Sequence, residues 1–112
     1  MDILSQIGNT PLLKLTRVIE SQDVDIFVKC EFLNPGGSIK DRMALRMIEE
    51  AEKSGRLIPG GKIVDQSTGN TGPALAFVGA VKGYQVQLYL PAQLSSTYNP
   101  EDRIRIARLF GC

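Results

Sequence analysis

The sequence predicts an α/β fold, a three-layer αβα arrangement around a mostly parallel sheet. Three observations predict it. Short apolar or alternating runs, bounded by Gly, Asn and Pro, read as strands. Between them lie stretches with apolar residues at helical spacing. From residue 24 onward the two kinds alternate as strand, helix, strand, helix, strand, helix, the order that builds a parallel sheet. The chain has 112 residues, enough for one domain and a modest core.

Pro11 to Leu15, bounded by Asn9-Thr10, reads as the first strand, and the alternating run Val24 to Cys30 as the second, with residues 17–23 a polar loop between them. The first helix is expected to start near Ser38. Ser38 and Asp41 have capping-box spacing, in which each side chain satisfies free backbone donors. Ile39, Met43, Met47 and Ile48, with Ala44 and Ala51, form its apolar stripe, and Gly55 is its stop. Pro59-Gly60-Gly61 is a turn, and Lys62 to Asp65 a short strand. The next helix spans 71–82, with Asn70 as cap, Pro73 in the first turn and Gly83 at the end. Ala74, Leu75, Phe77, Val78 and Val81 make it nearly all apolar, so it is expected to be buried on several sides. Gln85 to Leu90 alternates, which implies a wetter face or a place near the sheet edge. A last helix opens at Asn99-Pro100-Glu101-Asp102, acidic at its start and carrying Arg105 and Arg108 later, and Gly111 ends it. A β-α unit normally returns to another strand, so the end at Cys112 reads as an interruption.

Composition narrows the chemistry. Lys and Arg total 13 against 12 Asp and Glu, with no basic tract, so nucleic acid has no electrostatic footprint here. No apolar run approaches the roughly 18 residues of a membrane span, and the N-terminus does not read as a signal peptide. Cys30 and Cys112 give no disulfide framework or metal spacing, which makes a reduced, cytoplasmic compartment the default. There is no histidine, so Ser-His-Asp, Cys-His and histidine-metal sites are excluded.

Two glycine turns carry the chemical signal. Asn34-Pro35-Gly36-Gly37-Ser38-Ile39-Lys40-Asp41-Arg42 places Lys40 in the first turn of a helix. A lysine amine anchors an aldehyde cofactor by forming an imine, once burial or neighbouring positive charge lowers its pKa. Gly36 and Gly37 leave space for a flat ring, and Arg42 is close enough in sequence to bias the local field. By itself, a lysine near a helix start is most often a solvated surface residue. The second turn, Ser67-Thr68-Gly69-Asn70-Thr71-Gly72, joins a strand to a helix, where unpaired amides and the helix dipole favour a carboxylate or phosphate. Asn70 can also turn its amide to a ring oxygen. The same residues would serve as a capped turn without ligand. The spacing is neither the P-loop nor the dinucleotide Gly-x-Gly-x-x-Gly pattern.

Both turns, with Ile7-Gly8-Asn9-Thr10-Pro11-Leu12, Lys29 to Asn34, Lys82-Gly83-Tyr84 and Leu109-Phe110-Gly111, resemble the cysteine synthase and cystathionine β-synthase family. These are pyridoxal-phosphate enzymes of the tryptophan-synthase-β fold type. The resemblance implies that residues 1–112 are the N-terminal part of such a catalytic domain. Lys40 would form the imine with pyridoxal 5′-phosphate, and Asn70 would bond the ring hydroxyl. Ser67, Thr68, Gly69, Asn70 and Thr71 would take the substrate carboxylate. The family reaction is β-replacement on serine or an O-activated serine. Lys40 removes the α-proton, the leaving group departs to give an aminoacrylate, sulfide or a thiol adds, and Lys40 returns the proton. Homocysteine as the nucleophile would give cystathionine β-synthase activity.

Family members are commonly homodimers, and no metal is implied. Dehydratases of similar fold favour Gly-Ser-Phe-Lys at the lysine turn, so Gly36-Gly37-Ser38-Ile39-Lys40-Asp41-Arg42 favours the sulfur-amino-acid branch. Ser67-Thr68 reverses the family's usual Thr-Ser order, Asp65-Gln66 stands where Glu-Pro is frequent, and residues 91–100 differ from the usual short segment. The family's later phosphate-gripping loop and its partner for the pyridine nitrogen are not in these residues. The reading is therefore a part of a β-replacement enzyme. A reading of another class is a stand-alone binding module, with apolar surface on helix 71–82 covered by a partner.

Overall fold

The computed structural model describes residues 2–17, 23–91 and 101–112. Most of the expected loop at 17–23, the divergent segment at 91–100 apart from Pro91, and the Asn99-Pro100 opening of the last helix lie outside the described residues. Strands β1 (Leu12–Leu15) and β2 (Ile26–Lys29) are followed by α1 (Lys40–Lys53), β3 (Lys62–Gln66), α2 (Thr71–Lys82), β4 (Gln85–Tyr89) and α3 (Glu101–Leu109).

The strands form two separate sheets. β3 and β4 pair in parallel, from Lys62 opposite Gln85 to Gln66 opposite Tyr89, with α2 as the crossover. β1 and β2 pair antiparallel, from Leu12 opposite Lys29 to Leu15 opposite Ile26, as a ribbon apart from the parallel pair. The expectation that the strands share one mostly parallel sheet holds for β3 and β4. The short connection between β1 and β2 permits a hairpin, and the hairpin wins.

β3 and β4 both alternate in burial, β4 as its sequence does. Ile63, Asp65, Val86 and Leu88 face α2, while Val64, Gln85, Gln87 and Tyr89 are exposed. α2 is buried from Gly72 to Gly79, between the sheet, α1 and α3. Residues 72–79 are thus covered within the chain, and the apolar surface that α2 leaves open is at Ala80 and Val81. Phe77 of α2 meets Phe110 just after α3, ring centroids 5.4 Å apart and planes tilted by 56°. Ala44 and Ile48 carry α1 into the same core.

The direction of the helices positions the site. Near the C-terminal end of α1, Glu52 accepts from Lys82 Nζ and from Tyr84 Oη, each at 2.8 Å, at the C-terminal end of α2. α1 and α2 thus run side by side in one direction, pinned at their C-termini. Their N-termini share the opposite end, about 16–18 Å away at helical rise. That end also receives the carboxyl end of β3, where open α/β sheets bind ligands.

Candidate functional site

The lysine turn is built by a hydrogen-bonded bend and an unusual helix start. Gly37 N–H donates to Asn34 carbonyl at 2.8 Å. Gly37 has φ +85°, which only glycine adopts without strain, and a Cβ there would meet nothing within 4 Å. Lys40 is the first residue of α1 and half-buried, and its amide donates to Ser38 Oγ at 3.1 Å. No hydrogen bond or ion pair engages its ammonium among the described residues.

The capping box expected of Ser38 and Asp41 is not formed. Ser38 does cap, through Lys40 N–H, but Asp41 turns its carboxylate the other way and accepts from Gly36 N–H at 2.5 Å. Its side chain is fully buried, and Oδ1 has no hydrogen-bond partner among the described residues. Burial, helped by the charge of Glu31 and opposed by the Gly36 bond, raises its pKa above the usual 3.8. The space at Gly36 is likewise corrected. A Cβ at Gly36 would sit 2.4 Å from Asp41 Oδ1, so its missing side chain makes room for the carboxylate and not for a ring.

Arg42 does not bias Lys40 as an unpaired charge. Its Nε and Nη2 form a fork on Glu31, both at 2.8 Å, and Nη2 also reaches Gly8 carbonyl at 2.8 Å and Thr10 Oγ1 at 3.2 Å. Asn34 donates to Glu31 Oε2 at 2.9 Å and accepts Gly8 N–H at 2.8 Å. Glu31 is pulled from 4.5 to about 2, first by the Arg42 bond and further by Asn34 and Thr10. This network ties the segment before β1 to the start of α1. Sequence reasoning missed Glu31, Thr10 and Asn34 as its members.

The second turn presents donors. Ser67 Oγ accepts Gly72 N–H at 3.1 Å and so caps α2. Asn70 occupies the cap position but makes no side-chain cap bond, contrary to expectation, because Ser67 already serves the first turn. Asn70 Oδ1 instead accepts from Arg103 Nε of α3 at 3.1 Å. An arginine only donates, so this contact leaves the Asn70 amino group free to donate. The amides of Thr68, Gly69, Asn70 and Thr71 have no acceptor among the described residues. With the N-terminus of α2 behind them, they form a cradle suited to an anion.

A cavity of about 260 Å³ adjoins this turn at the carboxyl ends of β3 and β4, lined by Ser67, Gly69, Leu88, Arg103, Ala107 and Cys112 among others. Lys40 does not line it. Lys40 and the 67–71 turn are brought to one end of the helix pair, and no hydrogen bond joins them among the described residues.

Residues 3–112 match the family model for pyridoxal-phosphate dependent enzymes. Cystathionine beta-synthase of Apis mellifera is 50% identical over 96 residues, covering 84% of this chain and 19% of that protein. A cysteine synthase of Staphylococcus aureus is 44% identical over 110 residues, covering 98% of this chain and 34% of that one. The crystal structure of a cysteine synthase from Entamoeba histolytica superposes with a TM-score of 0.87 at 40% identity, over 99% of this chain and 32% of that one. The chain thus spans about a third or less of the length of these relatives. With a matching family model over nearly every residue and the relatives' α/β fold, the chain belongs to the pyridoxal-phosphate-dependent enzymes.

Proposed function

We propose that this chain carries the lysine turn and the carboxylate turn of a β-replacement enzyme that joins sulfide or a thiol to serine or an O-activated serine. One observation carries the reading. Lys40, whose ammonium has no partner among the described residues, and the four amides of Thr68–Thr71, without an acceptor among them, share one end of the α1–α2 pair.

The donor set fits pyridoxal phosphate and its amino-acid substrate. An unengaged amine at a helix start suits an aldehyde, and a cradle of N–H donors suits a carboxylate. When bound, the cofactor supplies the aldehyde and an electron-withdrawing ring. Lys40 Nζ holds the cofactor and moves the proton at substrate Cα. Ser67, Thr68, Gly69 and Thr71 orient the substrate through its carboxylate. The Asn70 amino group, left free by Arg103, donates to the ring oxygen. Two free cysteine thiols accord with a reducing, cytoplasmic setting.

The test is cofactor trapping. The chain is incubated with pyridoxal phosphate and reduced with borohydride, and the modified peptide is mapped by mass, with Lys40→Ala as control. Selective labelling of Lys40 supports the reading, and labelling scattered over the surface lysines overturns it. The match to cystathionine beta-synthase favours a second nucleophile, homocysteine. Product analysis with serine and sulfide against serine and homocysteine separates the two.

A further inference from the structure

The residue after Lys40 is a fully buried carboxylate that the proposed reaction does not use. Asp41 Oδ2 accepts from Gly36 N–H, and Oδ1 is shut away without a donor. Leaving a buried polar oxygen unsatisfied costs about 1–3 kcal/mol. A local rule broken at such a cost tends to mark a functional position. We propose that Asp41 is the positioning residue of the lysine turn. Its carboxylate clasps the Gly36 backbone to the first turn of α1 and so sets where Lys40 Nζ can reach. The inference rests on the proposed role of Lys40.

The geometry is specific about what does the holding. Lys40 is fixed on three sides by groups other than its own ammonium. Ser38 Oγ takes its amide at 3.1 Å. Arg42, two residues on, is locked to Glu31 and Gly8. Asp41 reaches back over the turn to Gly36, and nothing else described accepts that amide. Without Asp41, the bend keeps its backbone bonds at Asn34 and Gly37 and the indirect tie of Asn34 to Arg42 through Glu31, but Gly36 loses its direct link to the helix. Burial raises the Asp41 pKa, so a neutral side chain of the same shape is a fair substitute. Asparagine retains an acceptor oxygen for Gly36 and alanine does not.

Gly36→Ala is an independent perturbation. Gly36 is not in the left-handed region, so alanine meets no positive-φ strain there, and the three nearest atoms its Cβ would meet all belong to the Asp41 carboxylate. Asp41→Asn, Asp41→Ala and Gly36→Ala are compared with the unaltered chain by hydrogen exchange at the residue 36 amide without cofactor, and by the rate of borohydride-trapped labelling at Lys40. The expected result is near-normal protection and labelling in Asp41→Asn. Gly36→Ala and Asp41→Ala are expected to lose protection and label Lys40 about tenfold more slowly, with the other lysines unaffected.

Loss of both readouts in Asp41→Asn, or retention of both in Gly36→Ala, overturns the proposal. If Asp41→Ala does not fold, the contrast between Asp41→Asn and Gly36→Ala decides. Failure of the unaltered chain to label Lys40 selectively would refute the role of Lys40 instead, while the exchange data still report on the clasp.

Discussion

Gly79→Ala sets two physical effects against each other, and the structure says which wins. Gly79 lies in the interior of α2, where it is buried against β4. Alanine there gains about 1 kcal/mol in helix propensity over glycine. The added methyl, however, would stand 2.4 Å from Val86 Cγ2, against an ordinary carbon contact of about 3.5–4.0 Å. Val86 is 8% exposed and β-branched, so it has little freedom to rotate away. The helix must then lift from the sheet by about 1 Å, and overpacking of this kind costs about 1–3 kcal/mol. The net expectation is destabilisation by roughly 0–2 kcal/mol. Urea unfolding with an unchanged m-value reads it directly.

The double variant Gly79→Ala/Val86→Ala supplies the sharper reading. Val86→Ala alone loses roughly 1–3 kcal/mol from deleted methyls. In the double variant the new methyl fills space that Val86 vacates, so the pair should cost at least about 1 kcal/mol less than the sum. A raised midpoint for Gly79→Ala, or additivity within about 0.5 kcal/mol, would show that the close approach does not constrain α2.

Acid unfolding should carry opposite signatures from two carboxyls. Glu31 is depressed from 4.5 to about 2, so its contribution is complete above pH 4.5 and lost as pH falls through 2. Asp41 is raised above 3.8, so its contribution is present below pH 3.8 and lost as pH rises through the folded value. In urea midpoints taken across this range, Glu31→Gln should flatten the acid-side loss and Asp41→Asn should steepen it, and the reverse order would contradict the assigned environments. The tilted Phe77–Phe110 pair should show a coupling of about 0.5–1.5 kcal/mol in a double-mutant cycle with leucine replacements, and a coupling of zero would mean that α3 is held by other contacts.

The parts of the fold set by local chemistry were legible. The bounds of α2 come out as expected because Pro73 and Gly83 act within one turn of its ends. The strict alternation of β4 likewise marks its exposed face. Errors arose where two local partners competed. Ser67 displaced Asn70 as the cap of α2, and Gly36 displaced Ser38 as the partner of Asp41, although the sequence spacing permitted either. Contacts between distant segments were illegible. Arg42 meets Gly8 across 34 residues, and no pattern around Arg42 distinguishes that partner from solvent. The separation of the β1–β2 ribbon from the parallel pair is also a matter of non-local pairing. Both turns were visible because glycine, hydroxyl and amide residues concentrate there. Their sharing of one end follows from a pin formed by Glu52, Lys82 and Tyr84, which no single turn records.

That pin makes the helix pair a pair of tweezers. With the C-terminal ends joined at Glu52, relative movement of α1 and α2 becomes rotation about the joint, and its amplitude grows toward the tips. Over a lever of about 18 Å, a rotation of about 5° moves a tip by about 1.5 Å. Misplacement on the order of 1 Å is enough to cost about a hundredfold in a positioned reaction. Rotation at this joint therefore changes the gap between Lys40 and the 67–71 turn from the far end of the helix pair, where Glu52, Lys82 and Tyr84 meet.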